Sequence, residues 1–186
     1  MDILVIGNTS GIGQLCYEHF STTNNVVGIN RSTHDLEREE DVYRVISMAE
    51  NFNVVLNIAK VQPAQNLILL KTYERWKLTN HNGHIISIGS LATEFDRNDF
   101  SEWIDSEMVT YLGHKQELEN IHKSLAYNQP FGDQPRSTLI KPLNIGQKEG
   151  ERQDEPYNTK YDILELIEYC VDSPSWVSTI EVRKTW

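Results

Sequence analysis

An unbroken apolar run, Ile3-Leu4-Val5-Ile6, passes directly into Gly7-Asn8-Thr9-Ser10-Gly11-Ile12-Gly13. No other feature constrains the chain as much. A run that is apolar at every position marks a central strand buried on both faces of a parallel sheet. Glycines directly after such a strand let the backbone turn sharply, approach a ligand closely and bring the next helix against the sheet. That helix offers free N–H groups and the positive end of its dipole to an anion such as a pyrophosphate. A glycine-rich turn without a ligand is the alternative for the loop alone, and its position after an N-terminal strand argues against it.

Short β-rich runs alternate with stretches of helical period along the rest of the chain, which predicts an α/β fold with a mostly parallel sheet. Strand patterns fall at Asn25–Ile29, Thr33–Leu36 (very short), Asn53–Asn57, His84–Gly89, Thr138–Ile140 and Trp176–Arg183. Helical periods follow the glycine loop and cover about 39–50, 67–76, 108–127 and 161–171. The polar stretches 93–107 and 142–157 read as loops.

The 186 residues predict one domain spanning 1–186, and a hydrophobic share of 39% suffices for a packed core. Seventeen Lys and Arg against 27 Asp and Glu give a net charge of −10, the wrong sign for nucleic acid or an anionic membrane surface. Cys16 and Cys170 cannot build a disulfide framework or a four-cysteine zinc site, and both read as small buried hydrophobes. The six histidines show no metal-ligand spacing, so no metal is expected. No apolar stretch is long enough to span a membrane, and no leader pattern precedes the first strand. The expectation is a cytoplasmic protein.

The glycine spacing Gly-x-x-x-Gly-x-Gly, ending Gly-Ile-Gly, resembles the short-chain dehydrogenase/reductase family. The resemblance implies a doubly wound, Rossmann-type parallel sheet of about seven strands, in the order 3-2-1-4-5-6-7, with helices on both faces. It assigns Gly7, Asn8, Thr9, Ser10, Gly11, Ile12 and Gly13 to the cofactor's pyrophosphate. After the second strand stand Asn30-Arg31-Ser32, with no acid at the strand end. Arg31 can pair a ribose 2′-phosphate and Ser32 can add a hydroxyl contact, which favours NADP(H) over NAD(H). A solvated loop arginine is the alternative. Asp35-Leu36 matches the family's acidic signature near the adenine. Leu56-Asn57-Ile58-Ala59-Lys60 resembles the family's Asn-Asn-Ala-Gly turn, keeping Asn57 and Ala59 and departing from it at Ile58 and Lys60. Ile140-Lys141-Pro142 resembles the end of the sixth strand, where Pro142 and Ile145 take the nicotinamide contacts and Leu143 and Gln147 depart from the pattern.

Carbonyl reduction needs a hydride donor, a group to polarise the oxygen and an acid. A tyrosine with a lysine four residues on along a helix puts a phenol and an ammonium on one face, and the ammonium draws the phenol pKa down. Tyr73/Lys77 and Tyr111/Lys115 both have that spacing. Only Tyr111 opens the helix after the strand ending Ile88-Gly89-Ser90, which resembles the family's serine-bearing strand end. The resemblance therefore implies Ser90 as the oxygen-binding hydroxyl, Tyr111 as acid or base, and Lys115 as the group that tunes it and holds the nicotinamide ribose. Asn66, at a helix start, is the candidate for the family's fourth catalytic residue, with a plain helix-surface role as the alternative. Ser87 competes with Ser90 and loses on its position along the strand. The 21 residues from Ser90 to Tyr111 exceed the family's spacing and imply an insertion around Phe95, Phe100 and Trp103.

The function implied is NADP(H)-dependent interconversion of a carbonyl and an alcohol in a small molecule. A homodimer through the helices after the fourth and fifth strands goes with it. The competing expectation is a catalytically silent NADP(H)-binding sensor, prompted by the departures at Lys60 and beyond Pro142. Work on nucleotide sugars is disfavoured, because the chain is too short for the substrate domain it needs.

Overall fold

The computed structural model describes residues 1–94, 105–127, 135–143, 158–173 and 175–183. Six strands lie in one sheet: β1 (Asp2–Ile6), β2 (Asn25–Ile29), β3 (Val54–Asn57), β4 (His84–Ile88), β5 (Arg136–Pro142) and β6 (Thr179–Val182). Their order is β2-β1-β3-β4-β5-β6, and every pair is parallel. Among the described residues five helices join them: α1 (Gly11–Phe20), α2 (Glu39–Ala49), α3 (Ala64–Thr79), α4 (Ser106–Tyr127) and α5 (Lys160–Asp172). A 3₁₀ turn, Leu91–Glu94, follows β4.

The alternation along β1 sorts the two cores. Leu4 and Ile6 face a core shared with α2, α3 and α4, which includes Val45, Ile68, Trp76 and Leu118. Ile3 and Val5 face the opposite core, with Cys16 and Phe20 of α1 and Ile163 and Ile167 of α5. Helices therefore cover both faces, as a central parallel sheet requires. The architecture is the doubly wound, Rossmann-like one that the sequence predicts.

The strand count differs. Thr33–Leu36 forms no strand, so the sheet has six rather than about seven among the described residues. Parallel neighbours need a crossover of roughly a dozen residues, and too few stand between Ile29 and Thr33. The backbone N–H groups of Thr33 and His34 instead turn back to Asn30 O, at 3.0 and 2.8 Å, and that of Arg38 to Asp35 O at 2.8 Å. These turns lead straight into α2, whose first-turn acids Glu39, Glu40 and Asp41 suit the positive end of the helix dipole.

Local chemistry fixes the other ends. Asn80 takes the left-handed conformation (φ 54°) that terminates α3. Gly83 is obligatory for packing, because a Cβ there would lie 2.7 Å from the fully buried Trp76 indole. Trp76 Nε1 donates to Ala49 O at 3.2 Å, so the indole ties α3 to α2. Thr159 and Asp162 form a reciprocal capping box at the start of α5. Cys16 and Cys170 are free and buried, and burial pushes their thiols up to about 12 and about 11. No helix among the described residues is long and apolar enough to cross a membrane.

A buried ionic cluster joins three elements beside the carboxyl end of the sheet. Lys141 of β5 is 1% exposed and pairs with Glu119 of α4 at 2.9 Å and with Glu94 of the 3₁₀ turn. Thr93 Oγ1 donates to Glu119 Oε2 at 3.1 Å and to Ser90 O at 2.8 Å. The cluster therefore holds α4 against the turn that follows Ser90. Removing one partner would leave a buried charge uncompensated, a costly event in a low-dielectric interior.

Candidate active site

The order β2-β1-β3 reverses direction at β1, and ligands of open α/β sheets bind outside the carboxyl ends of the strands at such a point. A cleft of about 1000 Å³ opens there. The glycine loop forms its floor. Gly7, at φ +98°, adopts a conformation that side chains avoid, and Gly13 lies so close to it that a Cβ would be 2.0 Å from Gly7 O. Ser10 begins α1 without a side-chain capping bond, which leaves the first-turn N–H groups for an anion. Gly7, Thr9, Ser10, Ile12 and Gly13 line the cleft. Asn8 instead packs beneath it, filling the space a Cβ at Gly28 would take and accepting from Asn30 Nδ2 at 3.2 Å.

At one end the walls are Asn30, Arg31, His34, Asp35, Leu36 and Glu37. Arg31 is exposed, with Nη2 3.2 Å from Glu37 and Nε 3.9 Å from Asp35. Ser32 does not line the cleft; its Oγ donates to Asn30 Oδ1 at 2.6 Å and so shapes the turn. His34 Nδ1 is buried and has no hydrogen-bond partner among the described residues. The sequence carries no spacing signal that singles out His34; the turn that replaces the expected third strand brings it into the wall.

At the other end stand Ser90, Tyr111 and Lys115. Ser90 follows β4, while Tyr111 and Lys115 lie one turn apart on α4. Tyr111 lies close enough to Ser90 for the serine hydroxyl to favour its ionised form, and the Lys115 ammonium is 5.7 Å from the centre of the Tyr111 ring. Lys115 is only 4% exposed and donates to Gln65 Oε1 at 2.8 Å and Ile88 O at 2.7 Å. Burial, assisted by the nearby Lys60 charge, lowers its pKa to about 8. Burial likewise raises the Tyr111 pKa above the usual phenol value, and the neighbouring Ser90 hydroxyl opposes this only in part. The sequence leads one to expect lysine to draw the phenol down; desolvation dominates instead, and Tyr111 is a neutral phenol.

Other residues named from the sequence sit beneath or beside the cleft. Asn57 is fully buried; its Nδ2 donates to Gln65 O at 2.9 Å and Ser87 Oγ at 3.3 Å, holding the start of α3 under the site. Ser87 is thereby committed to the layer below, whereas Ser90 faces the cleft. Asn66 lines no part of the cleft; its Nδ2 reaches His114 O at 3.1 Å and Glu117 Oε2 at 2.7 Å, on α4. The neighbouring Gln65 holds Lys115, and sequence reasoning missed it because both amides open the same helix. Gly11 lines no part of the cleft, while Ala59 and Pro142 do. Tyr73 and Lys77 remain on α3, away from it. Ile145, Gln147 and the segment around Phe95, Phe100 and Trp103 lie outside the described residues.

The chain resembles solved dehydrogenases along nearly its whole length. A 4-hydroxyisoleucine dehydrogenase complexed with NADH matches at 16% identity and a TM-score of 0.72, over 97% of this chain and 96% of that one. A serine dehydrogenase in a closed form with NADP+ matches at 17% and 0.70, over 98% and 94%. A short-chain dehydrogenase from Burkholderia cenocepacia with NADP matches at 12% and 0.67, over 98% and 88%. No family model and no curated protein matches the sequence. The fold is that of the short-chain dehydrogenases, with a six-stranded sheet.

The cleft fits a dinucleotide on its own features. The Gly7–Gly13 contact leaves room only for bare backbone, so an anion can come close, and the cleft runs on from that loop to Tyr111. His34 Nδ1 adds a buried polar atom awaiting a partner in its wall.

Proposed function

We propose that the protein is a trimmed oxidoreductase of the short-chain dehydrogenase/reductase type that interconverts a carbonyl and an alcohol with NADP(H). One observation carries this reading: Ser90, Tyr111 and Lys115 meet at one end of a cleft whose floor is the glycine loop. Similarity to dehydrogenases solved with NADH or NADP+ supports the reaction class.

In this reading Gly7, Thr9, Ser10 and Gly13 hold the pyrophosphate, while Asn30, Arg31, His34, Asp35 and Leu36 enclose the adenosine end. Ala59 and Pro142 flank the nicotinamide end, and Lys115 holds its ribose. When bound, the cofactor supplies the hydride. Ser90 donates a hydrogen bond to the substrate oxygen, and Tyr111 gives it a proton in reduction. The raised phenol pKa suits that direction, because it keeps the proton in place until a charge develops on the substrate. As Tyr111 loses its proton, the buried Lys115 ammonium gains an anionic neighbour, which offsets part of its own desolvation. Gln65 aims Lys115, and Asn66 fixes α3 to α4 beside it. Exposed apolar side chains on the two helices, Leu78 on α3 and Val109 and Tyr127 on α4, favour a homodimer built through these helices.

The preference for NADP(H) rests on Arg31. Its pairs with Glu37 and Asp35 are solvent-exposed and weak, so the guanidinium is available to a 2′-phosphate. Arg31→Leu is expected to weaken NADPH binding by about 10- to 100-fold, the loss of one or two charge-assisted hydrogen bonds, and to change NADH binding little. Calorimetric titration with both cofactors checks this. Tight binding of NADH alone by the unaltered protein would overturn the preference and leave the reaction class standing.

A further inference from the structure

Lys60 occupies the place where the turn after β3 resembles a family pattern that ends in glycine. It is an exposed residue lining the cleft, and its ammonium lies 4.6 Å from the centre of the Tyr111 ring. The site thus has two ammonium groups near one phenol, and they are differently placed. Lys115 is buried, and two of its three protons are engaged by Gln65 and Ile88 O. Lys60 has no acidic partner within ion-pair distance among the described residues; it meets the Tyr111 ring face and the repelling Lys115 charge. Four acids among the described residues also line the cleft: Asp35 and Glu37 stand with Arg31 at the far end, Asp105 is turned to its own helix, where Oδ1 accepts from Met108 N at 2.8 Å, and Glu107 forms no ion pair with Lys60. A cation left in this way beside the reacting position, on a flexible stem, is a ready contact for an anion that arrives with the substrate.

We infer that Lys60 is a substrate-binding residue and that the substrate carries a carboxylate close to its reacting carbon. This rests on the reading of Ser90, Tyr111 and Lys115 given above and adds the substrate's charge to it. The ammonium exchanges the weak attraction of a ring face for a full opposite charge, in a partly enclosed site where screening is reduced. It thereby fixes which end of the molecule faces the turn after β3, and leaves the reacting oxygen to Ser90 and Tyr111.

The test is calorimetric titration of the NADPH-saturated protein with β-hydroxybutyrate and with its amide, which has nearly the same shape and no charge. NADPH cannot oxidise either, so binding is read without turnover. The acid is expected to bind about tenfold or more tightly than the amide. That preference disappears in Lys60→Met and persists in Lys60→Arg. Equal binding of acid and amide, absence of acid binding, or a preference that survives in Lys60→Met overturns the assignment. A Lys60→Met protein that loses NADPH affinity and keeps the acid preference assigns Lys60 to the cofactor instead, which also overturns it. Tyr111→Phe retains the ring and is expected to retain the acid preference. Should that variant also turn over carbonyl substrates at the unaltered rate, the catalytic reading fails while the Lys60 assignment stands.

Discussion

Tyr111→Phe is expected to lower NADPH-dependent carbonyl reduction on the order of 10²- to 10⁴-fold, the range for losing a positioned general acid. NADPH affinity and the urea midpoint should change little. The ring stays half-buried in the same place and keeps its position below Lys60. Ser90 keeps its contact with Ala92 N, at 3.2 Å, so its hydroxyl remains at the strand end. Steady-state kinetics across a panel of aldehydes and ketones, with binding measured separately, makes the comparison. A protein that binds NADPH and reduces nothing on the panel, with or without Tyr111, is a sensor. A variant as active as the unaltered protein moves the acid to another residue.

Lys115→Met is expected to reduce turnover by a comparable factor and also to weaken cofactor binding. The methionine fills similar volume, but Gln65 Oε1 and Ile88 O lose their shared donor. Gln65 Oε1 is left unpaired, at a cost of roughly 1–3 kcal/mol, Ile88 O keeps Gln65 Nε2 at 3.3 Å, and removing the desolvated ammonium returns part of the cost, so the variant still folds. The pH profile gives the sharper readout. Lys115 sits with a pKa near 8, so it is charged below that pH and neutral above it. In the proposed mechanism that charge favours loss of the Tyr111 proton and grips the ribose. Reduction by the unaltered protein should therefore be flat up to about pH 8 and fall beyond it. The falling limb should be missing from the residual activity of Lys115→Met. Persistence of the same limb in that variant would assign the ionisation elsewhere.

The parts of this molecule legible in the sequence are those where one residue type has one physical use. The apolar run Ile3–Ile6 could only be a strand buried on both faces, and Leu4 and Ile3 duly face opposite cores. The spacing of Gly7 and Gly13 could only serve a close backbone contact, and the 2.0 Å clearance bears that out. Tyr111 and Lys115 were separable from Tyr73 and Lys77 by order along the chain, because a parallel sheet presents successive strand ends on one edge. What stayed hidden depends on which of several equivalent residues the tertiary packing selects. Gln65 and Asn66 are neighbouring amides at one helix start, and only the position of α4 decides that Gln65 meets Lys115. Thr33–Leu36 is expected as a very short strand, but the short connection after Ile29 closes into turns before any crossover can form. The Tyr111 pKa also escaped, because it is a balance between burial and charge that spacing alone does not report. Lys60 was visible only as a departure from a pattern, and its place over the Tyr111 ring gives that departure a use.

A crystal structure of the protein with NADP+ bears most directly on the whole account. The dinucleotide should lie with its phosphates on the amides that begin α1, its 2′-phosphate toward Arg31 and its nicotinamide beside the Tyr111 hydroxyl. A dinucleotide bound in the opposite sense, or outside this cleft altogether, would contradict it.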